Sequence, residues 1–101
     1  MNYSFHPEAE IEFTKAIDYY EDHQRELGFD FSIEVNKTIH RIIANPESWT
    51  LVSRSIRRAL VHRFPFGVLY HYNPDSDHTF IVAVMHLRRE PDYWKQRLQN
   101  D

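Results

Sequence analysis

The chain has 101 residues, 42% of them apolar and 15% aromatic, and a net charge of −3. That is enough for one domain with a real core and too little for two, and aromatics spread along the whole length exclude disorder. The absence of cysteine excludes disulfides and thiolate metal sites, no stretch approaches the roughly 20 apolar residues of a membrane span, and the mildly acidic balance is unlike that of a strongly basic nucleic-acid binder.

The first residues, MNYSFHPEAEIEF, have neither the basic start nor the apolar run of a secretory signal, so a cytoplasmic protein is expected. Residues 2–6 read as a short strand closed by Pro7, a residue suited to the first turn of a helix. Glu8, Glu10 and Glu12 follow where the helix dipole favours negative charge. Ala9, Phe13, Ala16, Ile17 and Tyr20 recur at three/four spacing and predict an amphipathic helix that stops near Leu27–Gly28. A second helix is predicted from about residue 29 to Ala44, with Phe31 or Ser32, then Val35, Ile39, Ile42 and Ile43 on its apolar stripe and Asn45-Pro46 at its end. The tight link makes the two helices an antiparallel hairpin whose seam needs a second surface.

Residues 46–55 read as a polar connector anchored by Trp49. Three strands follow, Ile56–Phe64, Val68–Asn73 and Thr79–His86, joined by turns at 65–67 and 73–77. Short connections make these neighbours antiparallel. The run at 80–85, FIVAVM, is apolar on both faces and predicts the central strand. Pro91 opens a short amphipathic helix over 92–98. The fold class expected is therefore α+β: an N-terminal strand, a helical hairpin, a three-stranded antiparallel sheet segment and a closing helix, in one domain over 1–101.

Charge is distributed unevenly along this plan. Residues 1–45 hold four Lys/Arg against nine Asp/Glu, whereas residues 46–101 hold eight against six. An anionic partner should therefore meet the sheet half, where Arg57, Arg58, Arg63, Arg88 and Arg89 fall. Strand alternation puts Arg57 and Arg63 on one face and Arg58 on the other. These arginines read either as phosphate or carboxylate contacts or as a solvated edge pairing locally with Glu90 and Asp92. His62, His71 and His86 fall on neighbouring strands, but no carboxylate recurs at ligand spacing, so no metal is expected. His86, at a strand end beside Arg88, is the best single candidate for a functional imidazole. Tyr70, Tyr72, Tyr93 and Trp94 read as core or as aromatic contacts, with Tyr70 assigned to the core. With two glycines in the whole chain there is no phosphate-cradling loop, and no Ser stands in a nucleophile setting.

The runs IRRALVHRFPFGVLYHY (56–72) and FIVAVMHLRREPDYWKQRL (80–98) carry a more specific signal. Arg57, Arg58, Arg63, Phe64, Pro65, Phe66, Gly67 and Tyr70, followed by His86, Arg88, Arg89, Pro91, Tyr93, Trp94 and Arg97, resemble the RelE/ParE superfamily of type II toxin–antitoxin toxins. The likeness is to its ParE-like and plasmid-stabilisation members, and the strand and helical hairpin of the first half fit as well. The resemblance implies a bacterial growth-inhibiting toxin held silent by a cognate antitoxin whose C-terminal segment wraps it, with no cofactor.

Two targets are implied: DNA gyrase, inhibited without catalysis, or mRNA cleaved in the ribosomal A site. Carried over residue by residue, the ribonuclease positions match at Arg58 and Arg88, with His86 and Tyr93 as nearby substitutes. They fail at Leu60 and Gly67, where basic residues are required. Losing about half of the charge-stabilising groups should cost several kcal/mol of transition-state stabilisation, which favours the gyrase inhibitor. The residues expected to touch target or antitoxin are Arg57, Arg58, Arg63, Arg88, Arg89, Trp94 and Arg97. An inactive homologue that only binds antitoxin is the third expectation.

Overall fold

The computed structural model describes residues 2–98. Strand β1 (Tyr3–Phe5) leads into helix α1 (Pro7–His23), and helix α2 (Leu27–Ala44) returns beside it. Strands β2 (Thr50–Leu51), β3 (Arg57–Leu60), β4 (Phe66–Asn73) and β5 (His78–His86) follow, and a 3-10 turn at Lys95–Leu98 ends the described chain. The class is α+β, but the sheet has five strands rather than three, in the order β1-β5-β4-β3-β2. It is mixed: β1 runs parallel to β5 and every other pair is antiparallel.

Helix α1 starts where the sequence predicts. Pro7 occupies the first turn, and His6 caps it by accepting the Glu8 N–H on Nδ1 at 3.0 Å. The link to α2 differs from expectation. Gly28 does not end the first helix; it lies buried in the first turn of the second. The left-handed residue is Glu26, with φ 70°. Glu21 holds this turn by accepting the N–H groups of Glu26 (2.9 Å) and Gly28 (3.1 Å), which serves the orphan donors at the start of α2. Gly28 is needed for close approach, because a Cβ there would stand 2.4 Å from the Ile17 carbonyl oxygen of α1.

Phe31, Val35, Ile39 and Ile42 of α2 are fully buried against the sheet, as their spacing requires. They meet Val68, Tyr70, Ile81 and Val84 on one face. Tyr70 is fully buried, and its hydroxyl donates to the Pro46 carbonyl at 2.6 Å, tying the connector to the core. The opposite face of the sheet, formed by Ile56, Leu69, Val82, Ala83 and Met85, is covered by Trp94. Strand β5 is therefore covered on both sides. An irregularity opposite Leu69/Tyr70 lets Val82 and Ala83 both join this second cluster, where strict alternation would separate them.

Three boundaries are corrected. The connector contains an edge strand, with Thr50 opposite Arg58 and Leu51 opposite Arg57. The strand expected over 56–64 is only Arg57–Leu60, because Arg63 adopts φ 72° and turns the chain. Phe66 and Gly67 consequently belong to β4, and the turn lies before them. The closing helix expected over 92–98 is instead a pair of turns followed by the 3-10 turn.

Candidate functional site

Strand β1 covers the edge of β5 only as far as Ile81, opposite Phe5, because Pro7 then turns the chain into α1. Beyond that point the ladder groups of β5 are satisfied by side chains. Val84 donates its N–H to Glu12 Oε1 at 3.1 Å, and the Val82 carbonyl accepts from Arg97 Nη1 at 2.9 Å. Arg97 grips Glu12 with both fork nitrogens, at 2.9 and 2.7 Å. Tyr93 donates its hydroxyl to Glu12 Oε2 at 2.5 Å. Arg89 lies 3.8 Å over the Tyr93 ring and 3.6 Å from the same carboxylate oxygen. The Arg97 and Glu12 side chains are 11% and 12% exposed, so this is a nearly buried, fully engaged charge cluster. It clasps residues 93–97 onto the sheet.

The cluster decides what Tyr93 and Arg97 can do. Burial, reinforced by the hydrogen bond to Glu12, pushes the Tyr93 phenol well above its ordinary range. Burial opposes the charge of Arg97, but the Glu12 carboxylate outweighs it and holds the guanidinium above its usual value. A phenol that already donates to a carboxylate and resists ionisation is a poor proton donor to a substrate. Trp94 is 2% exposed, with its indole N–H donating to the Pro91 carbonyl, and its contacts belong to the fold.

The remaining arginines divide differently. Arg57 faces the helices and donates to the Trp49 carbonyl at 2.7 Å. Arg63 does not share a strand face with it; from its left-handed turn it pairs with Asp30 at 3.7 Å in solvent. Arg58 and Arg88 make no salt bridge among the described residues. Arg58 lies on the face away from the helices, with its aliphatic stem across Gly67. A Cβ at Gly67 would stand 3.0 Å from that stem, so this glycine makes room for an arginine where a basic side chain was sought. Arg58 also lines an open cleft of about 340 Å³ with Trp49, Thr50, Leu60 and His62. The Trp49 indole N–H is buried and has no hydrogen-bond partner among the described residues. Arg88 is exposed, and its backbone N–H donates to His86 Nδ1 at 3.1 Å.

The three histidines stay apart. His86 faces α1, with its ring 5.2 Å from Phe66; His71 lies against the Ser55 carbonyl; His62 lines the Arg58 cleft. Among the described residues no group of three His, Asp or Glu side chains is placed to hold a metal ion. Arg58 and His86 lie on opposite faces of the sheet, so the set Arg58, Arg88, His86 and Tyr93 does not converge on one point.

The residue that sequence reasoning missed is Glu12, taken only as one of three acids favoured by the helix dipole. Its signal was positional: it is three residues after Ala9 and four before Ala16, on the stripe that packs inward. A carboxylate on that stripe needs a buried cation, and Arg97 supplies it. No helix among the described residues is long and apolar enough to cross a membrane. No family model matches the sequence, and no curated protein matches it either.

Proposed function

We propose that this chain is the toxin of a bacterial type II toxin–antitoxin module, a cytoplasmic ParE-like member of the RelE/ParE superfamily neutralised by a cognate antitoxin. Its target on this reading is DNA gyrase, inhibited by protein–protein contact and without catalysis. The observation that carries the choice of mechanism is the dispersal of the four groups an RNA-cleaving site would need. Tyr93 is held by Glu12, and His86 faces the helices while Arg58 faces the other way. A phosphodiester in its transition state needs charge, base and acid within reach of one another. Arg58 and Arg88, neither of which makes a salt bridge among the described residues, are then contacts for the target, whereas Trp94 is buried, Arg97 nearly so, and Arg89 is engaged with Glu12.

The runner-up is a ribosome-dependent mRNA endonuclease. Arg58 and Arg88 favour it, since both are free of salt bridges among the described residues and both fall on positions where that chemistry places cations. The test is pulse labelling of DNA and protein synthesis in bacteria just after the chain is induced without antitoxin. The gyrase reading expects DNA synthesis to stop first, with DNA breaks. If translation stops first and Arg88→Ala abolishes a defined cleavage pattern, the endonuclease reading replaces it. If neither changes while folded protein accumulates, the role reduces to antitoxin binding.

A further inference from the structure

Helix α1 and the far end of the sheet enclose a cavity of about 330 Å³ lined by Ala16, Tyr19, Tyr20, Phe66 and His86. Apart from the small Ala16, every wall is an aromatic ring, and the rings meet in succession at steep angles. Tyr19 stands at 79° to Tyr20 with centroids 5.4 Å apart, and Tyr20 at 65° to Phe66 at 6.1 Å. Phe66 in turn stands at 73° to His86 at 5.2 Å. His23 packs 4.2 Å behind Tyr19 and steadies the outermost wall. His86 Nδ1 accepts the Arg88 N–H, a contact that fixes its ring as a further wall of the cavity.

We infer that this cavity is an aromatic cage for a cation, and that its occupant is an arginine or lysine side chain from a basic segment of a partner protein. Ring faces carry negative potential, and a cation enclosed by several of them is attracted more strongly the better it is desolvated. A nucleobase would prefer two parallel walls, whereas steep successive angles make a box suited to a compact charged head. The surroundings choose the same sign. Glu12 apart, which Arg97 holds, helix α1 carries Glu8, Glu10, Asp18, Glu21 and Asp22 against Lys15 alone, so a phosphate would be repelled and a basic segment drawn in. Tyr19 is 58% exposed, which leaves the mouth of the cage open to an entering side chain. The inference needs only the cage and its acidic helix, and it holds whether or not the chain is a toxin.

The test is titration of the purified chain with a short arginine-containing peptide in a glycine–serine background, and with the same peptide carrying neutral citrulline instead. Aromatic NMR signals are the readout. The arginine peptide should shift the rings of Tyr19, Tyr20, Phe66 and His86, and the citrulline peptide should bind several-fold more weakly. Tyr19→Leu should weaken binding roughly three- to thirtyfold, whereas Tyr19→Phe should leave it close to the original. Because Tyr19 is exposed, both variants should keep the parent melting temperature. Equal binding of the two peptides, no loss in Tyr19→Leu, or shifts confined to carboxylates elsewhere on α1 would each overturn the cage. So would ring shifts produced by adenosine monophosphate but not by the arginine peptide, which would reassign the cavity to a base.

Discussion

Replacing Glu12 with alanine should unlatch the 93–98 segment from the sheet. In the intact protein its carboxylate accepts from the Val84 N–H, the Tyr93 hydroxyl and both fork nitrogens of Arg97. Removing it leaves a guanidinium that is 11% exposed with only the Val82 carbonyl as partner, and two further donors with none. Deleting one member of a buried ion pair costs about 3–5 kcal/mol, and each orphaned donor about 1–3 kcal/mol where water cannot reach it. Detachment of the 93–98 segment would let water in and cap the sum, so the expected loss is about 3–5 kcal/mol. Against a total of about 5–15 kcal/mol for a domain this size, that is a large share. Urea unfolding should show it as a lowered midpoint, with Trp94 fluorescence shifting red in the native baseline as the indole meets water. The double variant Glu12→Ala/Arg97→Met should recover much of the loss, since no buried charge is left unpaired and Arg89 is half exposed to water. A loss below about 1 kcal/mol in Glu12→Ala, or strict additivity in the double variant, would refute the reasoning.

Three further outcomes follow from particular contacts. Gly28→Ala should destabilise by more than the usual gain from restricting a glycine, because its Cβ meets the Ile17 carbonyl at 2.4 Å; chemical denaturation measures it, and a stabilised variant would contradict the close approach. Gly67→Ala should cost little stability but displace the Arg58 stem lying 3.0 Å away, and growth inhibition should fall if Arg58 touches the target. Burial raises the Tyr70 phenol from 10.0 to about 12, so its contribution is complete below pH 10 and fades as the pH climbs towards 12. Unfolding across that alkaline window, followed by phenolate absorbance, checks it.

Much of this architecture was legible before any coordinates. The period of the two helices, the proline that starts the first and the doubly apolar run of β5 are each strong local signals, and all three elements form, although α1 ends at His23 rather than near Leu27 and the centre of the sheet is β4, with β5 beside it. What escaped prediction depends on contacts between distant residues. Gly28 and Gly67 look like turn residues in isolation, yet both serve close approach, one to a carbonyl on the neighbouring helix and one to the stem of Arg58. Turning falls instead to Glu26 and Arg63, which carry no sequence mark of a left-handed backbone. Strand β2 is two residues long, too short to show an alternation. Among the candidate contacts, Arg58, Arg88, Arg89 and Arg97 are chemically identical in the sequence. Only the position of Glu12, on the inward stripe of a helix 85 residues from Arg97, separates the nearly buried Arg97 and the half-exposed Arg89 beside it from those that make no salt bridge among the described residues.

That separation also shapes how the fold holds its edge. The Glu12–Arg97 grip joins residues 85 positions apart, and the pairing of β1 with β5, which sets Tyr3 beside Thr79, shortens the loop it has to close. Without the 93–98 segment the far face of the sheet has no Trp94 to cover it and the β5 edge has no Arg97 to finish it. Any opening of that segment bares an apolar face and a strand edge at once, which makes it the state most exposed to edge-to-edge aggregation.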